Sequence, residues 1–157
     1  MINPIEKISS YAASVTRVLI IALASMLVII LLVGIFYRYV VGSALSWPDE
    51  MAIVLVPWLI LLAGSLGVRE GFHVRLTILA TRLPLGVQNV LSKLVLVAIA
   101  MFGCTLFYSG YDLVMRTAGN VTPSLRLPLE LINYSAPVCG ALITIHCLAN
   151  LFGSKEN

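Results

Sequence analysis

The stretch VLIIALASMLVIILLVGIFY, Val18 to Tyr37, decides the fold, because it runs for twenty residues without one formal charge. A helix of that length rises about 30 Å, which is the hydrocarbon thickness of a bilayer. Three further uncharged runs follow it: Met51 to Val68, Leu94 to Tyr111 and Leu131 to Ser154. None shows the short apolar–polar alternation of a membrane barrel strand. The chain of 157 residues is 60% hydrophobic and 11% charged, with a mean hydropathy of +1.02. A soluble domain carries about 25% charged residues. The expectation is an all-α membrane protein, a single domain over residues 1–157 with four transmembrane helices at about 14–41, 48–69, 86–114 and 129–153. No room is left for a soluble domain. The first run reads as a span rather than a removable signal peptide, since its apolar core is long, starts late and lacks a clear cleavage site.

Charge placement orients the spans. Lys7, Arg17, Arg69, Arg75, Arg82, Lys93 and Lys155 flank one membrane face, and Arg38, Arg116 and Arg126 the other. The positive-inside rule then places both termini in the cytoplasm, N-in and C-in. The net charge of +3 is dispersed, so no patch for nucleic acid forms. Cys104, Cys139 and Cys147 lie within spans and read as small packing residues.

Local signals refine the layout. Asn3, Pro4 and Glu6 approximate a helix start, and Ile5, Ile8, Ala12 and Val15 give that start an amphipathic face along the cytoplasmic interface. Gly71 breaks the chain after span two. Arg75 and Arg82 then share one helical face, which predicts a short cytoplasmic interfacial helix over about 73–83. Arg69 and Arg75 are expected to face anionic headgroups, with His73 at the same interface. The connection AGNVTPSLRLPLE, residues 118–130, contains Pro123 and Pro128 and reads as a structured loop. Pro57 and Pro137 are expected to kink spans two and four. The pairs Ala63/Gly67 and Ala136/Gly140 suit close helix contact. No inverted repeat, the mark of many complete transporters, is evident.

Chemistry has few places to reside. In SWPDE, Ser46 to Glu50, Ser46 and Asp49 have capping-box spacing, and both carboxylates fall where a helix dipole favours negative charge. The plainest reading is a capped helix start. A compatible one pairs Arg38 with Glu50 or Asp49 across spans one and two, with Tyr39 and Trp47 as interfacial anchors. An ion-conducting role is disfavoured, because neither acid is expected at mid-membrane depth. No Asp, Glu, Lys or Arg lies within the four runs, whereas pumps and proton-coupled antiporters generally use such a group. His146, with Asn150 one turn on, reads as a neutral histidine bonded to a neighbour. An alternative makes His73 and His146 axial ligands of haem b in a respiratory membrane anchor. No metal cluster, nucleophile–base pair or phosphate loop is present, so neither a cofactor nor an enzymatic role is expected.

Three segments taken together resemble one family. FYRYVVGSALSWPDEMA closes one span and opens the next, WLILLAGSLGVREGFHVRL follows, and RLP precedes span three. Over about Phe36 to Pro84 this is similar to the small, Q-type (DctQ-like) membrane subunit of tripartite ATP-independent periplasmic (TRAP) transporters. The matching positions are Arg38, Tyr39, Trp47, Glu50, Gly64, Arg69, Gly71 and His73. The resemblance implies a multi-pass protein of the bacterial inner membrane, in a sodium-driven system that takes up organic acids. It implies two protein partners, a larger membrane subunit that carries out transport and a periplasmic substrate-binding protein, besides membrane lipids. The small subunit braces the large one and offers part of the docking surface, for which Arg116 and Arg126 are candidates. Arg69, Gly71, His73 and Arg75 form a cytoplasmic hinge on this reading.

Overall fold

The computed structural model describes residues 4–70 and 85–152. The interfacial helix expected over 73–83 lies outside them, as do Gly71, His73 and Arg75. Four helical units have the length and composition to cross a membrane, and the described residues hold no strand beyond one isolated bridge.

Helix α1 (Pro4–Phe36) opens with Pro4, whose missing N–H costs nothing in a first turn. It continues into a π turn, Tyr37–Val41, which ends where Gly42 adopts φ +71° and returns its N–H to the Tyr37 carbonyl. At 33 residues α1 is about 50 Å long, well beyond the hydrocarbon core, so it must tilt or run partly among headgroups. Helix α2 (Trp47–Arg69) carries Pro48 in its first turn and Pro57 inside it. Helix α3 spans Leu85–Thr117. The last unit is divided into α4 (Glu130–Asn133) and α5 (Ser135–Phe152), interrupted at Tyr134. Pro137 explains the break. It has no N–H for the Asn133 carbonyl, and its ring crowds that turn.

The helices pack in the order α1, α2, α5, α3. Helix α5 touches each of the other three spanning units, whereas α3 packs chiefly on α5 and α1 chiefly on α2. The α3–α5 contact is the tightest. A Cβ on Gly140 would lie 2.6 Å from the Phe107 nitrogen and 2.7 Å from the Gly103 carbonyl oxygen, so only glycine fits there. Gly103 and Gly110, seven residues apart on the opposing face of α3, meet Thr144 and Pro137 in the same way. Of the expected small pairs, Ala136/Gly140 thus lies in this seam, and Gly103 and Gly110 are its unanticipated counterparts. The interior is sparse: Val68, Ile143 and Cys147 form its centre, with Leu96, Ile99, Ala100 and Leu106 against them. Burial falls steeply outward from α5. In the most apolar window of each span, 39% of the residues of the α4–α5 unit are buried but only 6% of those of α1.

Candidate functional site

Polar side chains gather at the two ends of this apolar assembly. At one end α1 finishes in its π turn, α2 begins, and the α3–α4 connection folds back as a hairpin. Pro48 is buried against Gly34 and sets the α1–α2 spacing there. Arg38, carried by the π turn, places a guanidinium nitrogen 3.7 Å from an Asp49 oxygen, both side chains being more than half exposed. Glu50 does not meet Arg38. Consecutive residues point about 100° apart around a helix, so Asp49 faces α1 while Glu50 faces the hairpin. There the Glu50 oxygens accept the Ser124 N–H at 2.5 Å and the Leu125 N–H at 2.7 Å.

The capping box suggested by Ser46 and Asp49 also differs from what is observed. Ser46 occupies the N-cap position, but its backbone is already helical (φ −89°, ψ −23°) and its hydroxyl makes no capping bond. That hydroxyl lies 2.7 Å from the Ser124 hydroxyl instead. Sequence spacing identified the helix start, and of the two pairings offered for Arg38 the one with Asp49 is formed, whereas Ser46 and Glu50 turn to the hairpin. Trp47 is half-buried and Tyr39 is 79% exposed.

The hairpin is internally tied. The Thr122 N–H donates to the Leu127 carbonyl at 2.9 Å, the Leu129 N–H to the Asn120 carbonyl at 2.9 Å, and the Leu127 N–H to the Thr122 hydroxyl at 3.0 Å. The expected structured loop is this arrangement. Arg126 lies at its turn with φ +52°, exposed. Arg116, in the last turn of α3, donates to Asp112 one turn earlier at 2.7 Å. Farther in, the Trp58 indole N–H donates to the Leu131 carbonyl at 2.8 Å and joins α2 to α4.

At the opposite end Arg69 turns inward rather than outward. It donates to the Ser9 hydroxyl at 3.0 Å, and that hydroxyl lies 2.9 Å from Nδ1 of His146. Asn150 donates to the Val68 carbonyl at 3.1 Å, and Arg17 pairs with Glu70 at 2.6 Å. These bonds tie the start of α1 and the ends of α2 and α5 together. His146 is fully buried and Ser9 nearly so, and Nε2 of His146 has no partner among the described residues. The serine–histidine proximity therefore has no substrate access and acts as a staple. Ser9, Ser124 and Glu70 had no sequence signal, because each acts on a residue more than fifty positions away.

No group of three His, Cys, Asp or Glu side chains able to hold a metal occurs among the described residues. The full burial of His146 among the packed helices gives the haem alternative no support, and His73 lies outside the described residues.

Residues 11–156 match the family described as "Tripartite ATP-independent periplasmic transporters, DctQ component". The C4-dicarboxylate TRAP transporter small permease protein DctQ of Rhodobacter capsulatus is 29% identical over 119 residues, covering 74% of this chain and 52% of that protein. The isethionate TRAP transporter permease protein DctMQ of Oleidesulfovibrio alaskensis is 28% identical over 140 residues, covering 83% of this chain and 22% of that protein. The sialic acid TRAP transporter small permease protein SiaQ of Vibrio cholerae is 22% identical over 139 residues, covering 88% and 80%. The chain thus spans about half of the first relative and about a fifth of the second.

Proposed function

The chain belongs to the DctQ component family of tripartite ATP-independent periplasmic transporters, a multi-pass inner-membrane transport subunit without enzymatic activity, and from this premise we propose that it braces a larger transport subunit and helps dock a periplasmic substrate-binding protein. The observation that carries this reading is the open packing order. With 6% of the apolar window of α1 buried, two of the four spans have wide apolar faces left for another membrane protein. Lipid can cover such faces, but without any apolar drive between helices, association needs shape and polar contacts, which the ends of the spans provide. Pumps and proton-coupled antiporters generally use an ionisable group at mid-membrane depth. Here Asp49, Glu50, Glu70, Asp112 and Glu130 lie at or near helix ends and serve as ties.

On this reading both termini are cytoplasmic, the Ser9–Arg69–His146 staple faces the cytoplasm, and the hairpin with Arg38, Arg116 and Arg126 faces the periplasm. The relatives' names mention C4-dicarboxylate, isethionate and sialic acid, all organic acids, so an organic acid is the proposed cargo of the assembled system. Sodium is the proposed coupling ion, bound by the large subunit. The match to a fifth of DctMQ accords with a small subunit joined to a larger permease part. Reconstituted alone in proteoliposomes, this chain is expected to give no organic-acid uptake under a sodium gradient. Uptake appears when the large subunit and loaded binding protein are added. Sodium-dependent uptake by the chain alone would refute the bracing role.

A further inference from the structure

Glu50 sits in the first turn of α2, yet both its oxygens are engaged by a hairpin more than seventy residues away. The two amides it accepts, those of Ser124 and Leu125, are turn donors outside the hairpin's own bonds between Asn120 and Leu129. Successive N–H groups converging on one carboxylate form an anion-holding concavity, and charge assistance strengthens both bonds. The Ser46–Ser124 contact closes the same junction at 2.7 Å. The turn is therefore tied to α2, not merely to the helices it connects.

The next residue is Arg126, at φ +52°, a backbone region that a non-glycine residue seldom occupies. It differs from the other cations at this end. Arg38 has Asp49 at 3.7 Å and Arg116 has Asp112 at 2.7 Å, whereas Arg126 has no carboxylate within ion-pair distance among the described residues. An exposed guanidinium on a tied turn, unpaired among the described residues, suits a carboxylate supplied by another protein.

We propose that Glu50 is a positioning residue: by holding the Ser124 and Leu125 amides it presets the hairpin so that Arg126 is presented to an acidic patch on the soluble binding protein. This rests on the docking role proposed above. Pre-ordering the turn removes an ordering cost from association, so its loss weakens docking and leaves the transport step itself alone.

The test uses the complete three-part system in proteoliposomes, with loaded binding protein as the varied component, and amide hydrogen exchange on the same variants. Glu50→Gln is expected to speed exchange at Ser124 and Leu125 and to raise the half-saturating concentration of binding protein several-fold, with the maximal rate kept. Arg126→Asn removes the charge with a residue that tolerates positive φ. It should raise the half-saturating concentration similarly while leaving the two amides protected. The double variant should be no worse than Arg126→Asn alone. Should Glu50→Gln assemble poorly, Glu50→Asp keeps the charge one methylene short of the two amides and is expected to give the same pattern. Unchanged exchange at Ser124 and Leu125 in these Glu50 variants overturns the clamp, and additive losses in the double variant overturn its action through Arg126. An Arg126→Asn system that saturates like the wild type removes the docking role beneath the proposal, a result separable from the exchange data.

Discussion

Replacing Gly140 with alanine tests the seam on which α3 depends. The added Cβ would fall 2.6 Å from the Phe107 nitrogen, 2.7 Å from the Gly103 oxygen and 3.0 Å from the Phe107 Cα. All three are backbone atoms, so no side chain can swing away. Restoring ordinary contact at 3.4 Å parts the helices by about 0.8 Å. A gap of that size forfeits a quarter to a half of each pairwise attraction, and about twenty affected atom pairs at about 0.15 kcal/mol lose about 1 kcal/mol. Strain in the helices that fail to part adds to this, which places the cost within the overpacking range of about 1–3 kcal/mol. The assay is built into the chain, because Cys139 and Cys147 are fully buried and become reactive to a fluorogenic maleimide on unfolding. In a Cys104→Ser background, which removes the exposed thiol, Gly140→Ala should unfold at a clearly lower temperature or detergent concentration. Gly64→Ala is the control: nothing lies within 4 Å of the added carbon, and the better helix former should be neutral or slightly stabilising. A Gly140→Ala midpoint equal to wild type would refute the close-contact argument.

Ser9→Ala leaves His146 buried with no partner on either nitrogen and is expected to destabilise by about 1–3 kcal/mol. Ser9→Ala with His146→Leu should recover part of that loss, and both are measured by the same thiol-exposure assay. Arg38→Gln removes an exposed pair at 3.7 Å and should change stability by less than about 1 kcal/mol, with a dependence on salt that vanishes in the variant. Pro137→Ala restores an N–H for the Asn133 carbonyl. It should heal the interruption at Tyr134, seen as lengthened amide protection from Asn133 to Ala141.

The four spans were legible because a membrane helix announces itself by length and lack of charge alone, as Val18 to Tyr37 does. The helix start at Trp47 was legible for a similar reason, since capping residues and Pro48 act locally. What SWPDE contacts was legible only in part: the Arg38–Asp49 pair was one of two that the sequence offered, and the hairpin contacts of Ser46 and Glu50 had no local signal. Asp49 and Glu50 are adjacent in sequence yet diverge by about 100°, and nothing local says that Glu50 meets a turn more than seventy residues on. Arg69 carried a misleading signal. An arginine at a helix end ordinarily reaches for headgroups, and only the tertiary arrangement brings Ser9 and His146 within its reach. Gly103 and Gly110 could have been found by their seven-residue spacing, but Gly64 shows that a glycine in a span can equally face open space.

The central place of α5 has a consequence for biosynthesis. The spans emerge from the ribosome in chain order, and α1 and α2 can pair as soon as both are inserted. Helix α3 packs chiefly on α5, so it must wait in the bilayer without its partner until the C-terminal span arrives. The Ser9–His146 bond, which joins residues 137 positions apart, is necessarily among the last to close. A chain interrupted before Gly140 therefore retains the α1–α2 hairpin but leaves α3 an orphan, with Gly103 and Gly110 bare to lipid. That is the state in which a membrane-quality protease would find it.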